Sequence, residues 1–490
     1  MHAQRTNRPN VVMIVHDSVR AESCSCYGYE RPTTPYLESL AGEAVLYRNA
    51  FSAAVSTVPS HGSIFTGTPV YRHGLFLDGV PLSRGYMTVA EALKNAGYRT
   101  FGVCYQDDVS PVTGLHRGFD EFDMDDEPGA LRRLARRVID PRNPVRAVAD
   151  AKPGAAQPST VAINRPSGRG WQRSVKASSL YRRIHWWGSR FGDMGAASTE
   201  TKARRFLDAD NGGAPFFMYL HFDETHLPYR PPSPFREQFL RGAGAEKPAW
   251  SVNQDRSKYF LGEIAMDEED FAILRGLYDG SIAYLDAKTA DLARMLKERG
   301  YWDNTVFIVL GDHGDNIGEH GLLSHKYCVY DTLTKVPLIV KYPRELGLRG
   351  PCDDVAQLTD LAPTLLDVLG IEDERLHAQV EGNSLVSPAI RRRDGDYAIS
   401  ELIKPFGNEI RHMRGKLEKY DRRFLAIRSR DHKYIFASDG RDEFYDLALD
   451  PGERRNRIDA SHPEKERLRA LGEPHWKAHE ACFNAHKDRF

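Results

Sequence analysis

Asp17, Thr57, Asp312 and His313 have the types and the setting for metal-assisted ester chemistry. Asp17 follows the continuous apolar run 11–15, and the pair Asp312-His313 follows a second such run, 305–310. Runs of this kind read as buried parallel strands, which would put both carboxylates at strand ends. In open α/β sheets ligands bind at that edge. Thr57 precedes residues 59–65, which read as the opening of a helix whose N–H groups and dipole favour an anion. Together the four side chains would bind a hard divalent cation through oxygen and imidazole. A cation beside a hydroxyl lowers its pKa and makes it a nucleophile. Phosphoryl and sulfuryl transfer both need such a cation, an in-line nucleophile and donors for the equatorial oxygens.

The elements that must position these groups alternate. Residues 34–41 read as a helix with Pro35 in its first turn, and 45–51 as a strand. Residues 88–96 are helical in pattern and end at Gly97. Strands are expected over 100–104, 215–222 and 336–341, and a long helix over 270–299, stopped by Gly300. Repeated strand-then-helix order predicts a mainly parallel sheet sandwiched by helices. From about Asp396 a smaller subdomain is expected, with strands near 425–428 and 433–436. The expected organisation is therefore a catalytic domain over 1–395 and a C-terminal α+β subdomain over 396–490.

An Arg-rich stretch, about 127–190, interrupts the first domain. It reads as a solvated insertion, with a basic lid for an anionic substrate as the alternative. Tyr181, Trp186 and Trp187 near its end would pack on the core or line an entrance.

Bulk properties narrow the partners. The chain has 490 residues, 41% of them apolar, enough for a large core. A net charge of −1 gives no electrostatic case for nucleic acid or an anionic membrane. The six cysteines are scattered, which fits reduced thiols, with Cys24 and Cys26 ordinary buried ones. The first apolar run is too short for a signal peptide and no stretch reaches the length of a membrane span, so a cytoplasmic location is expected. Oligomeric state, including a homo-oligomer, stays open.

Several motifs carry a resemblance. Thr57-Val58-Pro59-Ser60-His61 resembles the nucleophile segment of the sulfatase branch of the alkaline phosphatase superfamily, Cys-x-Pro-Ser-Arg. His16-Asp17-Ser18, followed by Cys26-Tyr27-Gly28, is similar to the family's opening metal motif. Gly311-Asp312-His313-Gly314, with Gly318-Glu319-His320-Gly321, is similar to its second. The resemblance continues through Asp360-Leu361-Ala362-Pro363-Thr364 and Phe444-Tyr445-Asp446-Leu447, covering nearly all the chain except the Arg-rich stretch. It implies an alkaline-phosphatase-like fold and one divalent metal held by Asp17, Thr57, Asp312 and His313. Its spacing to Pro59 implies Thr57, rather than Ser56, as the nucleophile.

The departures decide the expected chemistry. The family's cysteine is oxidised to formylglycine; Thr57 is closed to that route, so no formylglycine is expected. His61 stands where the family has arginine, and residues 102–107 lack the Lys and His that hold sulfate. Ser18 stands where sulfatases carry a second aspartate, which weakens a calcium site. His313 matches phosphonate monoester hydrolases and favours manganese or zinc over calcium or magnesium. The Thr-x-Pro-Ser-His order is also similar to nucleotide pyrophosphatase/phosphodiesterases.

By resemblance His226 contacts the substrate or leaving group, and His325-Lys326 matches a substrate-binding lysine region. Either histidine would serve as general acid, and Lys326 would stabilise transition-state charge. His61 is expected to touch the substrate, whereas His16, His73 and His320 are expected to be structural. A second metal on Asp223, His226 and His325 is the weaker expectation.

The expected function is therefore a metal-dependent phosphodiesterase, phosphonate monoester hydrolase or phosphoryl transferase acting on a small anionic ester through a phosphothreonine. The rivals are a sulfuric ester hydrolase with an unmodified hydroxyl and a non-catalytic binding protein on the same fold.

Overall fold

The computed structural model describes residues 8–76, 80–105, 108–125, 193–209, 213–240, 247–387, 396–403 and 420–487. The Arg-rich stretch, including Tyr181, Trp186 and Trp187, lies outside the described residues, as do Gln106 and Asp107.

Eight strands form the main sheet: β1 (Asn10–His16), β2 (Val45–Phe51), β3 (Arg99–Tyr105), β4 (Glu121–Asp125), β5 (Phe216–Phe222), β6 (Thr305–Gly311), β9 (Leu338–Lys341) and β10 (Gly350–Gln357). A hairpin of β7 (Asn316–Ile317) and β8 (Leu323–Ser324) lies between β6 and β9 in the chain. The order across the sheet is β10-β2-β9-β6-β1-β5-β3-β4. β9 runs antiparallel to both β2 and β6, while the other pairings are parallel. Its ladder starts at Leu338 rather than 336, because Pro337 has no N–H and its carbonyl instead accepts from Gly311 N.

Alternation along the strands divides the core in two. Val11, Met13 and Val15 face one side with Tyr219 and Ile308, and Val12 and Ile14 face the other with Leu220 and Phe307. On the first side pack α2 (Thr57–Thr66), through Ile64 and Phe65, α3 (Val89–Asn95) and α6 (Leu361–Leu369). On the second pack α1 (Pro35–Ala41), α4 (Ala196–Asp208) and α5 (Glu268–Glu298). α5 begins with a capping box between Asp267 and Asp270 and buries Phe271, Leu274, Tyr278, Ile282 and Leu285 at helical spacing. Each such fully buried large side chain contributes roughly 1.5–3 kcal/mol of transfer free energy.

β11 (Ala398–Leu402), β12 (Phe424–Arg428), β13 (His432–Ala437) and β14 (Glu443–Asp446) form an antiparallel sheet in that order. α7 (Pro463–His486) lies on it, with Gly472 against the Phe436 ring and Ile427, where a Cβ would meet the ring at 2.4 Å. β11 is tied to the main sheet by Glu401 N donating to Ala53 O and Ile399 N to Gln357 Oε1. No described helix is long and apolar enough to cross a membrane.

Candidate active site

The carboxyl ends of β1 and β6 are neighbours, and each turns sharply to present an acid. Asp17 N still donates to Phe222 O, which extends the ladder one residue past β1. Ser18 then takes a left-handed conformation (φ 61°), and its N–H and Oγ–H bind Asp312 Oδ1 at 3.0 Å and Asp17 Oδ1 at 2.6 Å. α5 holds this turn from behind: Tyr278 donates its hydroxyl to Ser18 O at 2.6 Å. On β6 the acid pair is flanked by glycines for want of space. A Cβ on Gly311 would lie 2.3 Å from Val19 O, and one on Gly314 2.1 Å from Thr332 O.

α2 begins at Thr57 with Ser56 as its N-cap, two residues earlier than expected. Pro59 is accommodated in the first turn, where N–H groups have no intrahelical partner. Thr57 Oγ1 thus lies 3.2 Å from Asp17 Oδ2 and 3.2 Å from His313 Nε2. Ser60 Oγ donates to Asp312 O at 2.8 Å and fixes the helix against β6.

Asp17, Asp312 and His313 bring their ligand atoms within 4.8 Å of one another. His313 Nδ1 lies 2.9 Å from Gly314 O and must donate there, so in the neutral ring Nε2 carries a lone pair. That lone pair faces Asp312 Oδ2 at 3.5 Å, and Oδ2 has no hydrogen-bond partner although it is buried. Two acceptors face each other there, so a cation or a proton belongs between them. The oxygen-and-imidazole donor set fits one divalent metal.

The histidines of the leaving-group side converge on the same place. The His325 ring is 4.5 Å from that of His313 and 5.3 Å from that of His226. His325 Nδ1 is 2.8 Å from Asp315 Oδ1, whose other oxygen accepts from Tyr229 OH at 2.7 Å. Burial pushes the Asp315 carboxyl up to about 7. His226 Nδ1 donates to Leu227 O at 2.8 Å. Burial holds both rings below the usual imidazole range. Lys326, half-buried with φ 82°, sits where its charge acts on His325 and on Asp108.

His61 is placed differently from expectation. It is fully buried, with Nδ1 on Thr57 O at 2.8 Å and its ring against Phe65, Tyr219 and His221. One helical turn after Thr57, it lies on the same face of α2 but beneath the site, with Nδ1 3.8 Å from Asp312 Oδ2 and no exposed surface. Burial holds it down to about 3. His16 binds Thr289 Oγ1, His73 binds Ser63 Oγ, and His320 stacks on Tyr330.

Asp223, His226 and His325 form no metal-ligand group among the described residues. Two other groups come within reach; the first offers His61 Nε2 and Asp312 Oδ2 as buried atoms without a partner. In His61–His221–Asp312, both His221 nitrogens and His61 Nδ1 are already engaged. In His432–Asp446–His462, His462 Nδ1 accepts from Glu464 N as the cap of α7, at the positive end of its dipole.

Sequence reasoning passed over His221, whose Nε2 is 3.1 Å from Asp17 Oδ2, and Cys104, whose Sγ is 3.2 Å from His221 Nδ1. It also passed over Asp108, a half-buried acid whose carboxyl is raised by burial and by the charge of Asp17.

Comparison with known proteins gives the family and the fold. The family model described as Sulfatase matches residues 9–371, and that of the N-sulphoglucosamine sulphohydrolase C-terminal region matches 318–471. An arylsulfatase of Clostridium perfringens is 26% identical over 94% of this chain and 92% of its own. A multifunctional alkaline phosphatase superfamily protein of Trinickia caryophylli, PehA, is 24% identical over 92% of this chain and 91% of its own. In fold, the chain is similar to the crystal structure of the phosphonate monoester hydrolase of Agrobacterium radiobacter (TM-score 0.67, 22% identity, 97% of this chain and 96% of that one). The sheet, its flanking helices and the small antiparallel sheet are thus the alkaline-phosphatase-like fold expected from the motifs. The chain belongs to the sulfatase family.

Proposed function

We propose that this sulfatase-family enzyme hydrolyses or transfers the phosphoryl group of phosphoric diesters or phosphonate monoesters, with Thr57 Oγ1 as nucleophile. The observation that carries the reading is the Thr57 hydroxyl, 3.2 Å from both Asp17 Oδ2 and His313 Nε2 where the resembling motif has an oxidisable cysteine. Threonine has no route to the aldehyde hydrate that sulfate-ester cleavage in this family uses. The names of PehA and of the phosphonate monoester hydrolase are in keeping with phosphorus chemistry.

Asp17, Thr57, Asp312 and His313 would hold one divalent metal, manganese or zinc before calcium or magnesium. When bound it supplies Lewis acidity, lowering the hydroxyl pKa and drawing charge from the equatorial oxygens. Asp17 Oδ2, which accepts from the Thr57 hydroxyl at 3.2 Å, receives its proton. Oγ1 then forms a bond to phosphorus as the bond to the leaving oxygen breaks, giving phosphothreonine. His226 and His325 each hold Nδ1–H in a hydrogen bond, so each exchanges protons at Nε2. As an imidazolium, either gives the leaving oxygen its proton; as a neutral ring, it then accepts one from the incoming water or alcohol. That attack breaks the Oγ1–P bond and Thr57 is reprotonated. Lys326 stabilises the negative charge of the transferring group. We assign the catalytic machinery to residues 1–395 and the remainder, 396–490, to the subdomain.

A second reading, sulfuric ester hydrolysis by the unmodified hydroxyl, is favoured by the sulfatase names among the relatives. A metal-supplemented panel of aryl phosphate monoester, diester, phosphonate monoester and sulfate ester separates the two. Dominant diester or phosphonate turnover is expected. Dominant sulfate turnover would overturn the phosphoryl reading.

A further inference from the structure

A buried polar chain lies behind the Asp17 carboxylate and takes no part in the bond changes. His221 is the last residue but one of β5 and pairs in register with Val15 of β1, so it emerges beside Asp17. Its Nε2 is 3.1 Å from Asp17 Oδ2, and its Nδ1 is 3.2 Å from Cys104 Sγ on β3. None of the three is more than 1% exposed. Nε2 faces a carboxylate oxygen, which can only accept, so a neutral ring keeps its N–H there and leaves Nδ1 to accept from the Cys104 thiol. The ring proton then resides on Nε2 and points at Asp17. A doubly protonated ring would donate to Asp17 in the same way.

Asp17 is therefore gripped at both oxygens by the protein: Oδ1 by Ser18 Oγ at 2.6 Å and Oδ2 by His221. The fold does not require this. Phe217 and Tyr219 alternate with His221 on the same face of β5, and an apolar side chain there would bury without the desolvation cost of an imidazole. The polar chain sits where β5 meets the acid.

We propose that His221, oriented by Cys104, is a positioning residue that sets the Asp17 carboxylate for the cation and for Thr57. This rests on the reading of Asp17 as a cation ligand. Outer hydrogen bonds of this kind are commonly worth about 10–100-fold in metal affinity.

The test is calorimetric titration of chelator-stripped protein with Mn²⁺ alone, so that no turnover is needed. The set is parent, His221→Leu, His221→Gln, Cys104→Ala and Asp17→Ala, with thermal unfolding of each. His221→Leu should weaken Mn²⁺ binding about 10–100-fold. His221→Gln keeps an N–H near the Nε2 position and should recover most of that loss. Cys104→Ala should fall between, and it carries the test should the leucine variant fail to fold. Parent-like affinity in His221→Leu and Cys104→Ala would overturn the proposal. So would equal losses in the leucine and glutamine variants, which would mark a packing role. Asp17→Ala separates the two levels. If it alone loses Mn²⁺, the site reading stands and the His221 role falls. If it binds like the parent, the site reading itself falls.

Discussion

Asp331, Arg428, Lys433 and Glu453 form one buried cluster of charge, and Asp17, Thr57, Asp312 and His313 form another. The first closes on itself. Lys433 Nζ lies 2.5 Å from Asp331 Oδ1 and 2.7 Å from Glu453 Oε1, Arg428 reaches Asp331 Oδ2 at 3.0 Å, and Asp331 N donates to Glu453 Oε2 at 2.5 Å. Each carboxylate oxygen there lies within reach of a cation or an N–H, including Asp331 Oδ1 and Glu453 Oε1, which meet Lys433 Nζ as ion pairs without hydrogen-bond geometry. In the second cluster Asp312 Oδ2 has His313 Nε2 at 3.5 Å and His61 Nδ1 at 3.8 Å and, among the described residues, no Lys or Arg in an ion pair with it. A structural ion cluster brings its own counter-charges, whereas a ligand site leaves one for the ligand to fill.

The contrast can be broken at either end. Asp312→Asn should abolish stoichiometric Mn²⁺ binding and cut turnover by at least about 10³-fold, roughly 4 kcal/mol, with the unfolding midpoint little changed, because the amide oxygen still accepts from Ser18 N and His313 N. Metal analysis and kinetics check it, and parent-like metal content would end the distinction. Lys433→Met should do the opposite. Leaving Asp331 and Glu453 without their shared cation should cost about 3–5 kcal/mol of stability, while the folded fraction binds metal normally. Denaturant midpoints check it.

Glu224 sharpens the comparison, because its Oε2 is also buried without a partner. Glu224 belongs to no metal-ligand group among the described residues, so a proton rather than a metal satisfies it. Burial, then the charge of Asp193, pushes its carboxyl up to about 8. The folded state thus holds a proton that the unfolded chain gives up near pH 4.5. Its contribution is fully present below that pH and is lost as pH rises through about 8. Between pH 6 and 9 the loss should amount to about 2–3 kcal/mol, and Glu224→Gln should flatten that part of the stability profile. An unchanged profile in the variant would show that Glu224 does not supply the pH dependence.

Much of this was legible in the residues. Asp17 and Asp312-His313 follow short apolar runs that read as buried strands, and parallel strands put their ends at one edge. Thr57 was placed there by its motif. His221 was not legible, because in Phe216–Phe222 it reads as one more core-facing position of a fully buried strand. Cys104 was hidden in the same way on β3. The direction of β9 was hidden because a short apolar run fits a sheet either way round. The place of His61 beneath the site was hidden because α2 is buried almost all round.

The most direct test of the central claim is rapid acid quench of the metal-loaded enzyme during turnover of an aryl phosphonate monoester, followed by peptide mass mapping. A phosphonyl adduct on the peptide containing Thr57, absent from Thr57→Ala together with the turnover, is the predicted result. Turnover that persists in Thr57→Ala, with no adduct in either protein, would contradict a threonine nucleophile.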